Sequence, residues 1–323
     1  QKRRNHPALG RPLVAPLVAL LPILSFFHHL RPQPHLVQPN EVLIHAPFGT
    51  WANNHPPSPC RRVFILICHP KGILLPTYSS AFFQPSLELR SNKYIWYGTP
   101  RLFDALSLIF RENQDGVFVA HAYRYNQTTS AFIVECDAAT WEKAGFASMS
   151  DTESRTYCEK VFEKDLRGHP LLSNKSIWIN FVVVRNRRWY HDNVVLIGDA
   201  LRTVHFSIGS GTRTAFEDAI ALAGAFERHG EDVHAALQRF ENIRKPSADR
   251  LLEVAQKSVA WYENMRGLMH LDPIAFAYDY MMRGGKVDHE SLRRKAPKFI
   301  AAYEAYAGPA REDRHSAIKL SRE

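Results

Sequence analysis

Val194–Gly224, VVLIGDALRTVHFSIGSGTRTAFEDAIALAG, holds the densest group of residues that could do chemistry. Asp199 follows Gly198 at the end of an apolar run, where a carboxylate can accept hydrogen bonds from sugar hydroxyls. Gly209 and Gly211 stand two apart, with Ser210 between them and Thr212 after, so backbone can come close to a ligand there. A helix starting behind such a loop offers unpaired N–H groups and a partial positive charge, which suit a phosphate or a negatively charged ring edge. His205 and Phe206 sit just ahead of the glycines. His205 could orient a phenol or an amine; the ordinary alternative is a packed loop histidine. Thr203 and Ser207 add hydroxyls.

The elements that must position these residues can be read on either side. Val194–Ile197 is short, apolar and largely β-branched, as expected of a strand buried on both faces. From Thr212 the spacing turns helical. Ala215, Ala219, Leu222 and Ala223 fall on one stripe, and Glu217 and Asp218 are expected in early turns, where they suit the helix dipole. Such a strand–loop–helix also fits any generic α/β protein, because short glycine motifs are weak evidence.

Upstream, Lys93–Gly98 alternates as a strand. Leu102–Arg111 and Gly116–Tyr125 flank turn residues and predict a hairpin, and Thr129–Cys136 is the next strand. His121 and Tyr125, four apart on one strand, would share a face and could line a pocket; the ordinary alternative is a surface or packing role. Helices are expected at Trp141–Ala144 and Ser150–Leu166. The second has Ser150 and Glu153 as a capping box and Tyr157, Val161, Phe162 and Leu166 as its apolar stripe. Ser176–Val184 predicts a returning strand, with Arg185, Arg187, Arg188 and Trp189 in the turn after it. Downstream, helices are predicted over Asp232–Arg244, Ser247–Met265, Pro273–Arg283 and His289–Tyr306. Pro246 would divide the first two, and Gly284-Gly285 would separate the last two.

Composition narrows the class. With 323 residues, 45% hydrophobic and 23% charged, the chain can hold one large or two ordinary globular domains. The net charge of +9 is uneven. Residues 1–87 carry eight Lys/Arg against one acid, Glu41, whereas the remainder carries 33 against 31. The excess belongs to the N-terminal stretch, and no nucleic-acid-binding motif accompanies it. Cys60, Cys68, Cys136 and Cys158 form no C-x-x-C pair, so no zinc site or redox pair is expected, and a reducing, cytoplasmic compartment is the default. Fourteen of the 20 prolines lie before Leu87. Pro12–Phe27, apolar behind a basic start, mimics a targeting segment or anchor. Its prolines and short length count against a membrane-spanning helix.

GDALRTVHFSIGSGTRTAFEDAIAL resembles the second flavin-binding motif of the single-component FAD-dependent aromatic hydroxylases. The variant HFSIGSGTR is similar to the branch acting on aromatic CoA thioesters, salicylyl-CoA 5-hydroxylase and 2-aminobenzoyl-CoA monooxygenase. The likeness runs from about Phe83 to the C-terminus and is specific over Val194–Asp218. One departure is Leu201-Arg202, where many relatives have Ala-His.

The resemblance implies an α+β or α/β fold: a truncated, Rossmann-like FAD-binding hydroxylase with an antiparallel substrate-domain sheet and C-terminal helices. It implies that Gly198 and Asp199 bind the sugar chain of FAD, and that Gly209, Ser210, Gly211 and Thr212 present amides to the flavin. His205 would stand beside the reacting face, and His121, Tyr125 and Phe206 near the substrate. NAD(P)H would reduce the FAD, and O₂ would supply the atom passed to an aromatic ring. Arg124, Arg185 and Arg187 could meet the phosphates of a CoA tail, or form an ordinary solvated face. Trp261 and Tyr262 would pack on the flavin domain.

The expected organisation is an atypical segment at 1–82, the substrate sheet at 83–190, the second half of the FAD domain with helices at 191–306, and a flexible tail at 307–323. The family's G-x-G-x-x-G pyrophosphate motif occurs nowhere in the chain. Residues 1–82 are therefore read as non-homologous sequence, such as a frame-shifted start. An inactive remnant, or a flavin-binding module without turnover, is the alternative to an enzyme.

Overall fold

The computed structural model describes residues 81–308 and the backbone of two strands, 41–46 and 63–68. The apolar stretch Pro12–Phe27 and most of the polar tail lie outside the described residues. Among the described residues the strands are β1 (Glu41–Ala46), β2 (Val63–Cys68), β3 (Pro85–Thr99), β4 (Ser107–Glu112), β5 (Val117–Arg124), β6 (Ser130–Cys136), β7 (Ile179–Asn186), β8 (Tyr190–His191) and β9 (Val194–Leu196). The helices are α1 (Ala138–Lys143), α2 (Asp151–Val161), α3 (Glu163–Leu166), α4 (Gly198–Leu201), α5 (Gly211–His229), α6 (Val233–Glu263), α7 (Pro273–Met282), α8 (His289–Lys295) and α9 (Pro297–Ala307). The chain divides into two compact units, one of residues 1–85, 186–202 and 212–245, the other of 86–185, 203–211 and 246–323.

The first unit holds a four-stranded sheet in the order β1-β2-β9-β8. β9 runs parallel to β2, with Val194, Val195 and Leu196 opposite Phe64, Ile65 and Leu66. Val195 and Leu196 are fully buried, as the apolar run requires. The strand stops at Leu196, and a single helical turn, α4, follows it before the glycine loop.

The second unit holds a five-stranded sheet in the order β4-β5-β6-β3-β7. The predicted hairpin is β4–β5, closed by the Asn113 to Gly116 turn, and β6 pairs antiparallel with both β5 and β3. One face carries Ile95, Tyr97, Phe118, Phe132 and Val134 against Cys158, Phe162 and Leu166. Each phenylalanine buried there contributes about 1.5–3 kcal/mol. The other face places Val117 and Val119 against Trp261, Tyr262, Met265 and Leu268. Trp261 and Tyr262 thus cover this sheet. Cover on both faces explains why β5 reads as a near-continuous apolar run.

Several boundaries differ from the sequence reading for local reasons. The Ser150–Leu166 helix keeps its capping box but breaks at Phe162, whose φ of −108° and ψ of 22° end α2 and start α3. The returning strand runs Ile179–Asn186 and takes in Arg185. Pro246 does not divide a helix: α6 continues through it. An interior proline costs about 3 kcal/mol, and packing of Leu237 and Phe240 before it and Leu252, Ala255 and Val259 after it outweighs that cost. Over 289–306 the opposite holds. Ala296, forced out of the helical region by Pro297, sits at φ −139° and separates α8 from α9.

Candidate functional site

In the first unit the Gly198–Leu201 turn is built around Gly198, which has φ +59°. A Cβ there would approach Ala215 Cβ at 3.3 Å, so the turn lies directly on α5. Gly198, Ala200 and Leu201 are buried while Asp199 between them is exposed. The turn therefore lifts one carboxylate out of a packed base. Asn186 secures it by donating from Nδ2 to the carbonyls of Ala200 (2.9 Å) and Leu201 (2.8 Å).

Asp218 holds both ends of that turn. Gly198 N–H donates to its Oδ2 at 3.2 Å, and Arg202 Nη2 donates to its Oδ1 at 2.8 Å. Arg244 Nε adds a second ion pair at 3.1 Å. Asp218 is fully buried eight residues into α5, so it does not serve the helix dipole as its position in the sequence suggested. The buried stripe of α5 is correspondingly Thr214, Asp218, Leu222, Ala225 and Phe226; Ala215, Ala219 and Ala223 flank it. Leu201-Arg202, the departure from the family pattern, has a structural use. Leu201 is core, and the Arg202 guanidinium pairs with Asp218 while lying over the Trp189 ring at 4.9 Å.

In the second unit the loop 203–211 is anchored at its start by Thr203, whose hydroxyl donates to Val182 O and accepts from Val184 N–H. Val204 and Ile208 pack on Leu252 and Ala255 of α6. A single 3₁₀ turn, Phe206–Ile208, follows and ends at Gly209 with φ +58° and nothing within 4 Å of a Cβ placed there. Gly211 opens α5. Gly209 is exposed, so the loop presents bare backbone to its surroundings.

His205 is buried at 4% exposure, stacked on Phe206 at 4.2 Å and edge-on to Phe181 at 4.6 Å. Burial lowers its imidazole to about 4, only partly opposed by Glu135. It is therefore neutral near pH 7. Its Nδ1 accepts from Ser207 N–H at 3.2 Å, which leaves the ring proton on Nε2, so His205 offers a donor rather than a base.

Beside this loop the sheet carries a polar group inside an apolar face. His121 Nε2 lies 3.1 Å from Glu135 Oε2, and Asn92 Nδ2 donates to Glu135 Oε1 at 2.8 Å. All three are buried. Burial alone would raise the Glu135 carboxyl, but the bond with His121 and the neighbouring imidazoles carry it below the ordinary value. Phe206 meets His121 at 5.3 Å and Tyr94 at 4.8 Å, and Tyr262 meets His121 at 5.1 Å. Burial, reinforced by Glu135, raises the Tyr94 phenol.

The structure therefore brings His121, His205 and Phe206 together and leaves Tyr125 out. β5 ends at Arg124, so the alternation that would have put Tyr125 on the same face stops one residue early, and its side chain is 61% exposed. Arg124 is spent on its own turn, donating to the carbonyls of Asn126 and Gln127. Glu135, Asn92 and the bracing role of Asp218 were missed. A lone acid in the apolar strand TSAFIVEC was the available clue, since a buried carboxylate needs partners.

Asp199 thus stands exposed on a buried turn of the first unit, and Gly209 is the exposed glycine of the loop in the second. Comparison with known proteins gives the family. Residues 93–255 match the family model described as FAD binding domain. The salicyloyl-CoA 5-hydroxylase of a Streptomyces species is 38% identical over 229 residues, covering 68% of this chain and 44% of that protein. The protodeoxyviolaceinate monooxygenase of Chromobacterium violaceum is 40% identical over 200 residues, covering 62% of this chain and 53% of that protein. The chain thus spans about half the length of the curated relatives it matches. Among solved structures, an FAD-complexed HpxO variant of Klebsiella pneumoniae covers 72% of this chain and 58% of its own, at 18% identity and a TM-score of 0.47.

Proposed function

The chain belongs to the FAD-binding family of flavin-dependent aromatic hydroxylases, and from that premise we propose that it is part of an NAD(P)H-using monooxygenase acting on an aromatic acyl-CoA thioester. Bound FAD would supply the redox chemistry, activating O₂ so that one oxygen atom passes to the ring, and the protein would bind, orient and exclude water. Asp199 would accept hydrogen bonds from the sugar-chain hydroxyls of FAD. The amides of Gly209, Ser210, Gly211 and Thr212 would face the pyrimidine edge of the ring and favour its anionic reduced form. His205 would donate from Nε2 to an oxygen or nitrogen of the substrate. Phe206, Tyr94 and His121 would form an aromatic, partly polar wall suited to a phenol or arylamine.

The observation that carries this reading is the exposed Asp199 on a turn whose every neighbour is buried. The test is flavin absorbance of the purified chain after incubation with FAD. Asp199→Ala is expected to abolish binding, and full FAD occupancy in that variant overturns the assignment. Oxidation of NADH or NADPH stimulated by aromatic acyl-CoA thioesters, and not by the free acids, tests the substrate class. A second reading stands beside the first, a remnant or flavin module without turnover, because G-x-G-x-x-G occurs nowhere in the given sequence. Bound flavin without substrate-dependent NAD(P)H oxidation identifies the module; no flavin identifies the remnant.

A further inference from the structure

The loop His205–Gly211 is braced by a cation from a distant part of the chain. Arg283, at the C-terminal end of α7, donates from Nη2 to Ser207 O at 3.0 Å, from Nε to Ser258 Oγ at 3.0 Å and from Nη1 to Tyr280 O at 2.9 Å. Its planar group lies over the Tyr280 ring at 3.7 Å, which fixes the fork's orientation. Ser258 is fully buried on α6, and its Oγ also meets Ser207 Oγ at 2.9 Å. With Ser207 N–H donating to His205, every polar group of Ser207 is engaged.

The neighbouring carbonyls follow the same pattern. His205 O accepts from Ile208 N–H, Phe206 O from Gly209 N–H, and Ile208 O from the Ser210 hydroxyl. Four successive carbonyl oxygens, from His205 to Ile208, are thus occupied from within the second unit. Only one of these four donors is charged, and it alone comes from outside the loop.

We propose that Arg283 is a positioning residue for the flavin-facing loop. Through Ser207 it fixes the run of peptides that leads into Gly209, and its charge behind the Ser207–Ile208 peptide makes the loop a better neighbour for an anionic ring. The proposal rests on the reading that this loop lies along the flavin. It assigns two separable duties to one side chain. The fork geometry holds the loop, and the positive charge tunes the electrostatics.

The full chain carrying Arg283→Gln, Arg283→Lys or Ser258→Ala separates these duties. Hydrogen exchange is measured without FAD on peptides covering 205–211. Exchange about tenfold faster than wild type is expected in all three variants, with β5 and β6 unchanged, because each loses part of the brace while the sheet stays folded. Unchanged loop exchange in all three overturns the bracing role. The flavin midpoint potential is then measured on the FAD-loaded chains. Arg283→Gln is expected to lower it, while Arg283→Lys and Ser258→Ala, which keep the charge, stay near wild type. Equal potentials in all three variants and wild type overturn the electrostatic duty. If Arg283→Gln does not fold, Ser258→Ala decides the brace and Arg283→Met takes its place as the charge-removing variant in the potential measurement. If wild type retains no FAD, the cofactor reading fails, and loop exchange alone decides the brace.

Discussion

His205 shows how much one residue's role depends on its burial. Its imidazole is held at about 4 against an ordinary 6.5, so the unfolded chain takes up that proton first as pH falls. The penalty is absent above pH 6.5 and grows as pH drops toward 4, reaching on the order of 3 kcal/mol. Glu135 acts lower on the scale. Its carboxyl is held below 4.5, so its contribution is present above that value and is lost as pH falls through the lowered one. Replacing His205 by Gln is therefore expected to flatten the loss of stability between pH 6.5 and 4.5 while sparing the loss at more acid pH. Urea midpoints across that range check this, and an unaltered slope returns the titration to another group. The sequence made His205 visible through its place before the glycines. It did not show that the ring is neutral, because the burial that makes it so involves residues such as Phe181 that lie far from it in the chain.

At the scale of the element, the turn Gly198–Leu201 depends on a helix it precedes. Asp218 receives Gly198 N–H, Arg202 and Arg244 at once, and Arg202 keeps Nε and Nη1 buried without a hydrogen-bond partner among the described residues. Asp218→Asn would leave that guanidinium buried beside a neutral amide. Breaking a buried pair from one side costs about 3–5 kcal/mol, and that loss is expected in urea denaturation. Faster exchange of the amides at 198–202 should accompany it. A change under 1 kcal/mol, about the worth of an exposed pair, would contradict the bracing role. The same element shows where patterning was sufficient. The strand before it and α5 after it lie within a residue of where local spacing put them, whereas the helical turn α4 between them does not follow from spacing.

At the scale of the molecule, the central strands β5 and β6 of the larger sheet are buried on both faces, and Cys136 of β6 and Cys158 of α2 share one of the cores that cover them. Cys136 and Cys158 are both fully buried. Burial pushes both thiols up, and each acidic neighbour adds to the effect. Thiolate is the reactive form, so both are expected to resist alkylation at pH 8 until the second unit unfolds. Mass-spectrometric mapping of alkylated sites across a urea series measures this. Labelling of either cysteine ahead of the loss of helical signal would show that the core opens locally. No helix among the described residues is long and apolar enough to cross a membrane.

The sequence by itself determined what acts over a few residues. The β4–β5 hairpin follows from turn chemistry, the Ser150–Glu153 capping box from i to i+3 reach, and the strand–turn–helix from periodicity. Family membership was legible for the same reason, since the motif from Gly198 to Asp218 is contiguous. Tertiary structure alone decided which polar groups meet. His121 and Glu135 are 14 residues apart, Arg202 and Asp218 are 16 apart, and Arg283 and Ser207 are 76 apart. It also decided that α6 runs through Pro246 and that Tyr125 falls beyond the end of its strand. Those outcomes turn on burial. A buried charge must find a partner wherever the chain brings one, and enough packed side chains can override a proline, so neither result is contained in local spacing.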